Sequence, residues 1–96
     1  MGRYLIMWEA DESKIPVNPE ERKVGWLGAI EMTKQDIKSG MTKDWGNFFG
    51  QPKGFSIGEG TEEELNRALI RYIPYFRFKV YPFLSIEKTE ENIKTL

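Results

Sequence analysis

Two carboxylates in this chain stand beside tryptophans: Glu9 follows Trp8, and Asp44 precedes Trp45. They are the natural candidates for proton transfer, because the sequence contains no histidine and no cysteine. That absence removes the commonest general base, thiolate nucleophiles, disulfides and Cys or His metal sites. A base working near neutral pH must then be a carboxylate lifted by desolvation or a lysine lowered by it. The lysines stand mostly beside other charges, whereas Glu9 closes the apolar run Tyr4-Leu5-Ile6-Met7-Trp8. Glu9 is therefore the first choice as catalytic base and Asp44 the second. Tyr72, Tyr75, Tyr81 and Arg77 supply donors able to hold an oxyanion, and Trp8, Trp26 and Trp45 supply apolar walls for a ligand. Each also has a plainer role. A carboxylate ending a strand is ordinarily solvated, Tyr72 continues a helical stripe that packs as core, and Arg77 on an outer strand face meets water or a second chain.

The elements that would position these residues can be read along the chain. Residues 4–10 form an apolar run of strand length in which both alternating sets, Tyr4-Ile6-Trp8 and Leu5-Met7, are apolar. The run predicts a strand buried on both faces. Asn18 as N-cap, Pro19 at the first helical position and Glu20-Glu21 in the first turn predict a helix to about Ser39, stopped by Gly40. On that helix Trp26, Leu27, Ile30, Thr33 and Ile37 share one arc, with Glu21, Glu31, Gln35 and Asp36 off it. Gly25 and Gly28 weaken it by about 1 kcal/mol each relative to Ala, so they mark either close packing on a strand or room for a ligand.

Residues 43–49 and 54–58 predict the arms of a hairpin around Gly50-Gln51-Pro52-Lys53. The second arm turns Phe55 and Ile57 one way and Gly54, Ser56 and Gly58 the other, a smooth side that something can approach closely. Thr61 and Glu64 make a capping box. Leu65, Ala68, Leu69 and Tyr72 then follow at helical spacing, until Pro74 ends the helix. Residues 76–86 alternate as a long strand, with Phe78, Val80, Pro82, Leu84 and Ile86 opposed to Arg77, Lys79, Tyr81, Phe83 and Ser85. Pro82 places that strand at an edge or a bulge. Residues 87–96 read as a terminal helix or an arm.

Strand, helix, hairpin, helix, strand is the βαββαβ order of a ferredoxin-like α+β domain, a four-stranded antiparallel sheet with two helices on one face. One such domain takes up residues 1–96 and leaves no length for a second core. Its other face is predicted bare, yet the first strand is apolar on both sides, and Tyr81 and Phe83 lie opposite the core set of the last strand. A bare apolar sheet face marks an interaction surface. The expectation is a homodimer, sheet on sheet, giving a dimeric α+β barrel or a larger ring of such pairs. Hydrophobic residues at 40% and charged residues at 30% are globular proportions, and aromatics at 14% leave a surplus for an interface or a pocket. A net charge of −1 argues against nucleic-acid binding, which rests on a basic excess. Charge interrupts the apolar start too early for a signal peptide or a membrane span, so a cytoplasmic protein with no membrane partner is expected.

The stretch Ile73-Pro74-Tyr75-Phe76, followed by Phe78, Val80, Pro82 and Leu84, resembles the end of muconolactone isomerases. In that family a Leu-Pro-x-Phe stretch closes the second helix and leads into a strand carrying Val-x-Pro-Leu. Gly40 leading to Trp45 is similar to the family's approach to its second strand, and Glu64-Leu65 fits the start of its second helix. The resemblance spans roughly residues 4–85 and carries mainly the fold. It implies sheets paired face to face, a proton shift in an unsaturated lactone, and no metal or organic cofactor. The family carries histidine or other polar groups in the strands around its pocket, and this chain has no histidine. Two other functions share the architecture. One is a non-catalytic binding or assembly module, in which tryptophans and tyrosines line a cavity for a small apolar molecule. The other is an RNA-recognition domain, for which Lys53-Gly54-Phe55 matches the third-strand signature until Ile57 and Gly58-Glu59-Gly60 depart from it.

Overall fold

A computed structural model describes residues 2–96. Strand β1 (Gly2–Ala10) leads through a 3-10 turn (Glu12–Lys14) into helix α1 (Pro19–Ser39). Strands β2 (Thr42–Asn47) and β3 (Lys53–Gly60), helix α2 (Glu62–Ile70), strand β4 (Phe76–Phe83) and helix α3 (Ile86–Lys94) follow. The strands form one antiparallel sheet in the order β2-β3-β1-β4. β1, apolar on both sides, lies between two neighbours, with Ile6 opposite both Ser56 and Val80. β4, which carries Pro82, is an edge strand, where a missing amide proton costs no ladder bond. This small α+β arrangement is compatible with a ferredoxin-like fold, with α3 added after β4.

The helix ends follow from local chemistry. Asn18 Oδ1 accepts from the amides of Glu20 at 2.9 Å and Glu21 at 3.2 Å, and Gly40 takes the left-handed conformation (φ 88°) that closes α1. Thr61 and Glu64 cap each other's backbone reciprocally, both at 3.1 Å. The starts of β1, β2 and β3 lie one or two residues earlier than expected, and three strand ends differ as well. β2 stops at Asn47, whose amide donates to the carbonyls of Phe48 (2.6 Å) and Gln51 (3.0 Å) and ties up the turn. β3 continues to Gly60. β4 ends at Phe83, because Ser85 accepts from Lys88 N at 3.2 Å and begins α3, so Leu84 and Ile86 leave the strand.

Alternation along the strands sorts the side chains into two faces. Ile6, Trp8, Ala10, Gly54, Ser56, Gly58 and Gly60 are buried on the side of α1 and α2. Leu5, Met7, Phe55 and Ile57 point the other way and are half-buried, with Tyr81 and Phe83 exposed beside them. The first strand is therefore not buried on both faces, since nothing among the described residues covers the second. The smooth side of β3 is occupied from within. A Cβ at Gly54 would run into the Gly46 carbonyl and come within 2.7 Å of Trp8 Cζ2, and one at Gly58 would lie 2.8 Å from Leu65 Cδ2. At Gly25 and Gly28 a Cβ would meet nothing within 4 Å, so these glycines face open space rather than a packed strand.

α1 lies on the sheet turned away from its predicted arc. Trp26, Ala29, Ile30, Thr33 and Asp36 face inward, while Leu27 (55% exposed) and Ile37 (47%) face out. The hydrophobic core is thin. Ile6, Trp8, Ala10, Leu65 and Ala68 are its buried apolar members among the described residues, and no large side chain is completely enclosed. The chain exposes 7257 Å², against about 5,700 Å² for a compact monomer of its mass. Part of the excess is shape: the molecule measures 57 × 25 × 19 Å, and every residue of α3 is exposed. No helix among the described residues is long and apolar enough to cross a membrane.

Candidate functional site

Between α1, α2 and the sheet lies a cavity of about 100 Å³. Its floor comes from β1 and β3 through Ile6, Trp8, Ser56 and Gly58, and its roof from α1 and α2 through Trp26, Ile30, Leu65 and Leu69. Aromatic rings surround it. Trp8 and Trp45 stack with centroids 5.4 Å apart and planes 9° from parallel, and Gly54 leaves the space in which the Trp8 indole lies. Phe76 joins the walls: it meets Trp8 at 6.0 Å, Trp26 at 5.8 Å and Tyr72 at 5.9 Å, each edge to face. Such edge-to-face pairs are the favoured geometry for ring quadrupoles and hold the rings in fixed orientations. The Trp8 indole N–H is satisfied by the Phe55 carbonyl at 3.3 Å.

One corner of this apolar space is polar. Asp36, buried on α1, accepts from Arg71 Nη2 at 2.6 Å and from the Tyr72 hydroxyl at 3.3 Å. Tyr72 also exchanges a hydrogen bond with Thr33 Oγ1 at 3.2 Å, and Thr33 donates back to the Ala29 carbonyl at 3.0 Å. Arg71 is fixed by a further bond from Nε to the Ala68 carbonyl at 2.9 Å. The two contacts to Asp36 both fall on Oδ2, which leaves Oδ1 available to a ligand. Burial pushes the Tyr72 phenol above its ordinary 10.0; the negative charge of Asp36 adds to this, while the bond to Thr33 opposes it. Tyr72 is thus a neutral hydrogen-bond donor throughout the physiological range.

Of the residues singled out from sequence, Trp8, Trp26, Trp45 and Tyr72 all line this cavity. Tyr75 does not; it lines a separate, more open cleft of about 590 Å³ outside α1, together with Gly25, Gly28 and Ile15. The two spaces share Trp26, Ala29, Tyr72 and Phe76 as a common wall. Glu9 and Arg77 are cross-strand neighbours on the open face and form an exposed pair at 3.5 Å. Asp44 lies on that open face too, opposite Ile57, and its Oδ1 accepts from the Trp45 amide at 2.9 Å. Sequence reasoning missed Asp36, Arg71 and Thr33. The signal available was Asp36 one turn after Thr33 on α1, facing an Arg-Tyr pair at the end of α2. It had no force until the rotation of α1 was known.

No protein-family model and no curated protein matches the chain.

Proposed function

We propose that the protein is a dimeric α+β barrel of ferredoxin-like, muconolactone isomerase-like design that binds a small apolar or lactone-type molecule under its helices. The convergence of Trp8, Trp26, Trp45 and Tyr72 on one cavity that also holds Asp36 carries the reading. Ligand sites of this kind are mostly apolar, with a few placed polar groups that fix orientation. Its volume of about 100 Å³ is somewhat below that of an engineered cavity of roughly 150 Å³ that takes up benzene. The occupant is accordingly one small ring whose carbonyl accepts from Tyr72. An isomerase adds one step. Asp36 Oδ1 takes the proton α to the carbonyl, the Tyr72 hydroxyl turns from Asp36 to hold the enolate, and the same carboxyl returns the proton to the far end of the conjugated system. A catalytic part for Glu9 or Asp44 needs a ligand lying between two paired sheets. Pairing itself is supported by the apolar open face of Leu5, Met7, Phe55 and Ile57, and by surface in excess of a compact monomer.

Butenolide, the simplest unsaturated five-membered lactone, tests this reading. Titrated into isotope-labelled protein, it is expected to shift all three indole N–H signals in a saturable way. Exchange of its γ-protons, lost to the same dienolate, with deuterated solvent separates catalysis from binding: acceleration that Asp36→Asn abolishes marks an isomerase, and shifts without acceleration mark a binding protein. Unmoved indole signals at millimolar lactone, with only bare chain masses in a native spectrum of fresh protein, overturn the proposal.

A further inference from the structure

Two apolar surfaces are left over after the open sheet face is accounted for, and they are complementary. The first is α3, exposed along its whole length, with Ile86 79% and Ile93 60% exposed at positions two turns apart on one side of the helix. It makes no substantial contact with any other element of its own chain. The second is the cleft of about 590 Å³ beside α1, where Gly25 and Gly28 leave the helix surface bare between Ile15, Val24 and Tyr75. Lys14 and Arg22 outnumber Glu21 around the cleft, where Arg71 is already paired with Asp36, while Glu87, Glu90 and Glu91 outnumber Lys88 and Lys94 on α3.

The helix cannot reach the cleft of its own chain. Phe76, which lines the cleft, is the first residue of β4, and the strand runs eight residues away from it, about 26 Å at roughly 3.3 Å per residue. Two residues, Leu84 and Ser85, then join β4 to the nine-residue α3. Nine residues of helix return about 14 Å at most, which leaves Ile93 well short. A second copy has no such constraint.

We infer that α3 of one copy docks in the Gly25–Gly28 cleft of another, with Ile86 and Ile93 as anchors in a helix-in-groove contact. The glycines are what admit it, since a side chain at either would fill the space a helix backbone needs. Every copy carries both the helix and the cleft, so exchange within a pair gives a closed dimer, and head-to-tail docking gives a ring. The docked helix also covers the outer side of Trp26 and Phe76, the wall shared with the inner cavity.

The chain has no cysteine of its own, so a thiol pair tests this directly. Val24→Cys stands on the cleft rim at a 70% exposed position, and Thr89→Cys lies on α3 between the two anchors and leaves both in place. Full-length chains carrying one substitution each are mixed and oxidised mildly, with Lys53→Cys replacing Val24→Cys as the control partner. The expected result is a covalent Val24→Cys/Thr89→Cys heterodimer, formed at least tenfold faster than the control. Deletion of residues 86–96 is expected to make Trp26 fluorescence more quenchable by acrylamide. Cross-linking no faster than the control, in a sample that sedimentation shows to be assembled, overturns the inference. So does a monomer at about 100 µM, a weak-dimer regime, or a native spectrum in which a small molecule rather than a second chain occupies the cleft and blocks the cross-link.

Discussion

On one face of the sheet Ile6, Trp8 and Ala10 are buried beneath α1 and α2; on the other Leu5, Met7, Phe55 and Ile57, equally apolar, stay half-exposed. The two sets alternate along the same strands, and residue type does not separate them. What separates them is connectivity: both helices cross on one side, and the hydrophobic gain is realised only where another layer removes the side chains from water. The covered face has even given up volume, at Gly54 and Gly58, to admit an indole and a leucine. The uncovered face keeps bulk in both central strands.

The largest expected effect lies on the covered face. Leu65→Ala empties a site that is 5% exposed and should cost about 2–5 kcal/mol in urea unfolding. Leu69, half-buried against the cavity, already adjoins empty space, so Leu69→Ala should cost about half as much. Equal losses at the two positions would mean that the cavity is closed in solution, and the contrast between packed and vacant parts of this face would fail.

On the open face Ile57→Lys should leave the chain folded but weaken self-association at least tenfold, about 1.4 kcal/mol, as read by sedimentation equilibrium. Association unchanged by a lysine in the middle of this patch would remove the sheet face from the interface.

A smaller effect belongs to neither face. Thr61→Ala removes the N-cap of α2 and should cost about 1 kcal/mol. Glu64 is held below the ordinary 4.5 first by the Thr61 amide and then by its hydroxyl. A lowered folded value means that the stabilisation is complete above 4.5 and fades as pH falls through the lower folded value. In Thr61→Ala the amide bond persists and the hydroxyl bond does not, so carboxyl NMR should show Glu64 moving only part of the way back to 4.5.

The smallest change expected is at Glu9. Its pair with Arg77 is exposed on both sides (54% and 65%), so Glu9→Gln should alter stability by less than about 0.5 kcal/mol and leave the lactone-induced indole shifts in place. A larger loss that depends on protein concentration would sharpen the comparison by putting Glu9 inside the dimer contact.

Helix α1 shows why the site was only partly legible. Its limits were clear because capping is local: Asn18, Pro19 and Gly40 act on their own neighbours. Its buried side was not, because a turn of the helix by a fraction of a step carries Leu27 out and Asp36 in, and its inward face meets distant partners: Trp26 packs on Phe76 and Asp36 pairs with Arg71. The tryptophans could be nominated from bulk alone. Asp36 could not, since a carboxylate is buried only where a partner such as Arg71 awaits it.

The sequence by itself determined the element order, the caps of α1 and α2, the confinement of Pro82 to an edge or a bulge, and the division of β3 into a bulky and a smooth side. All of these depend on contacts within a few residues or on strict alternation. Tertiary structure alone decided that the smooth side receives Trp8 and Leu65, that Gly25 and Gly28 border a cleft, and that Asp36 meets Arg71 and Tyr72 across the helix pair. Those outcomes depend on how separate elements approach one another, and no local pattern of residues encodes the distance between them.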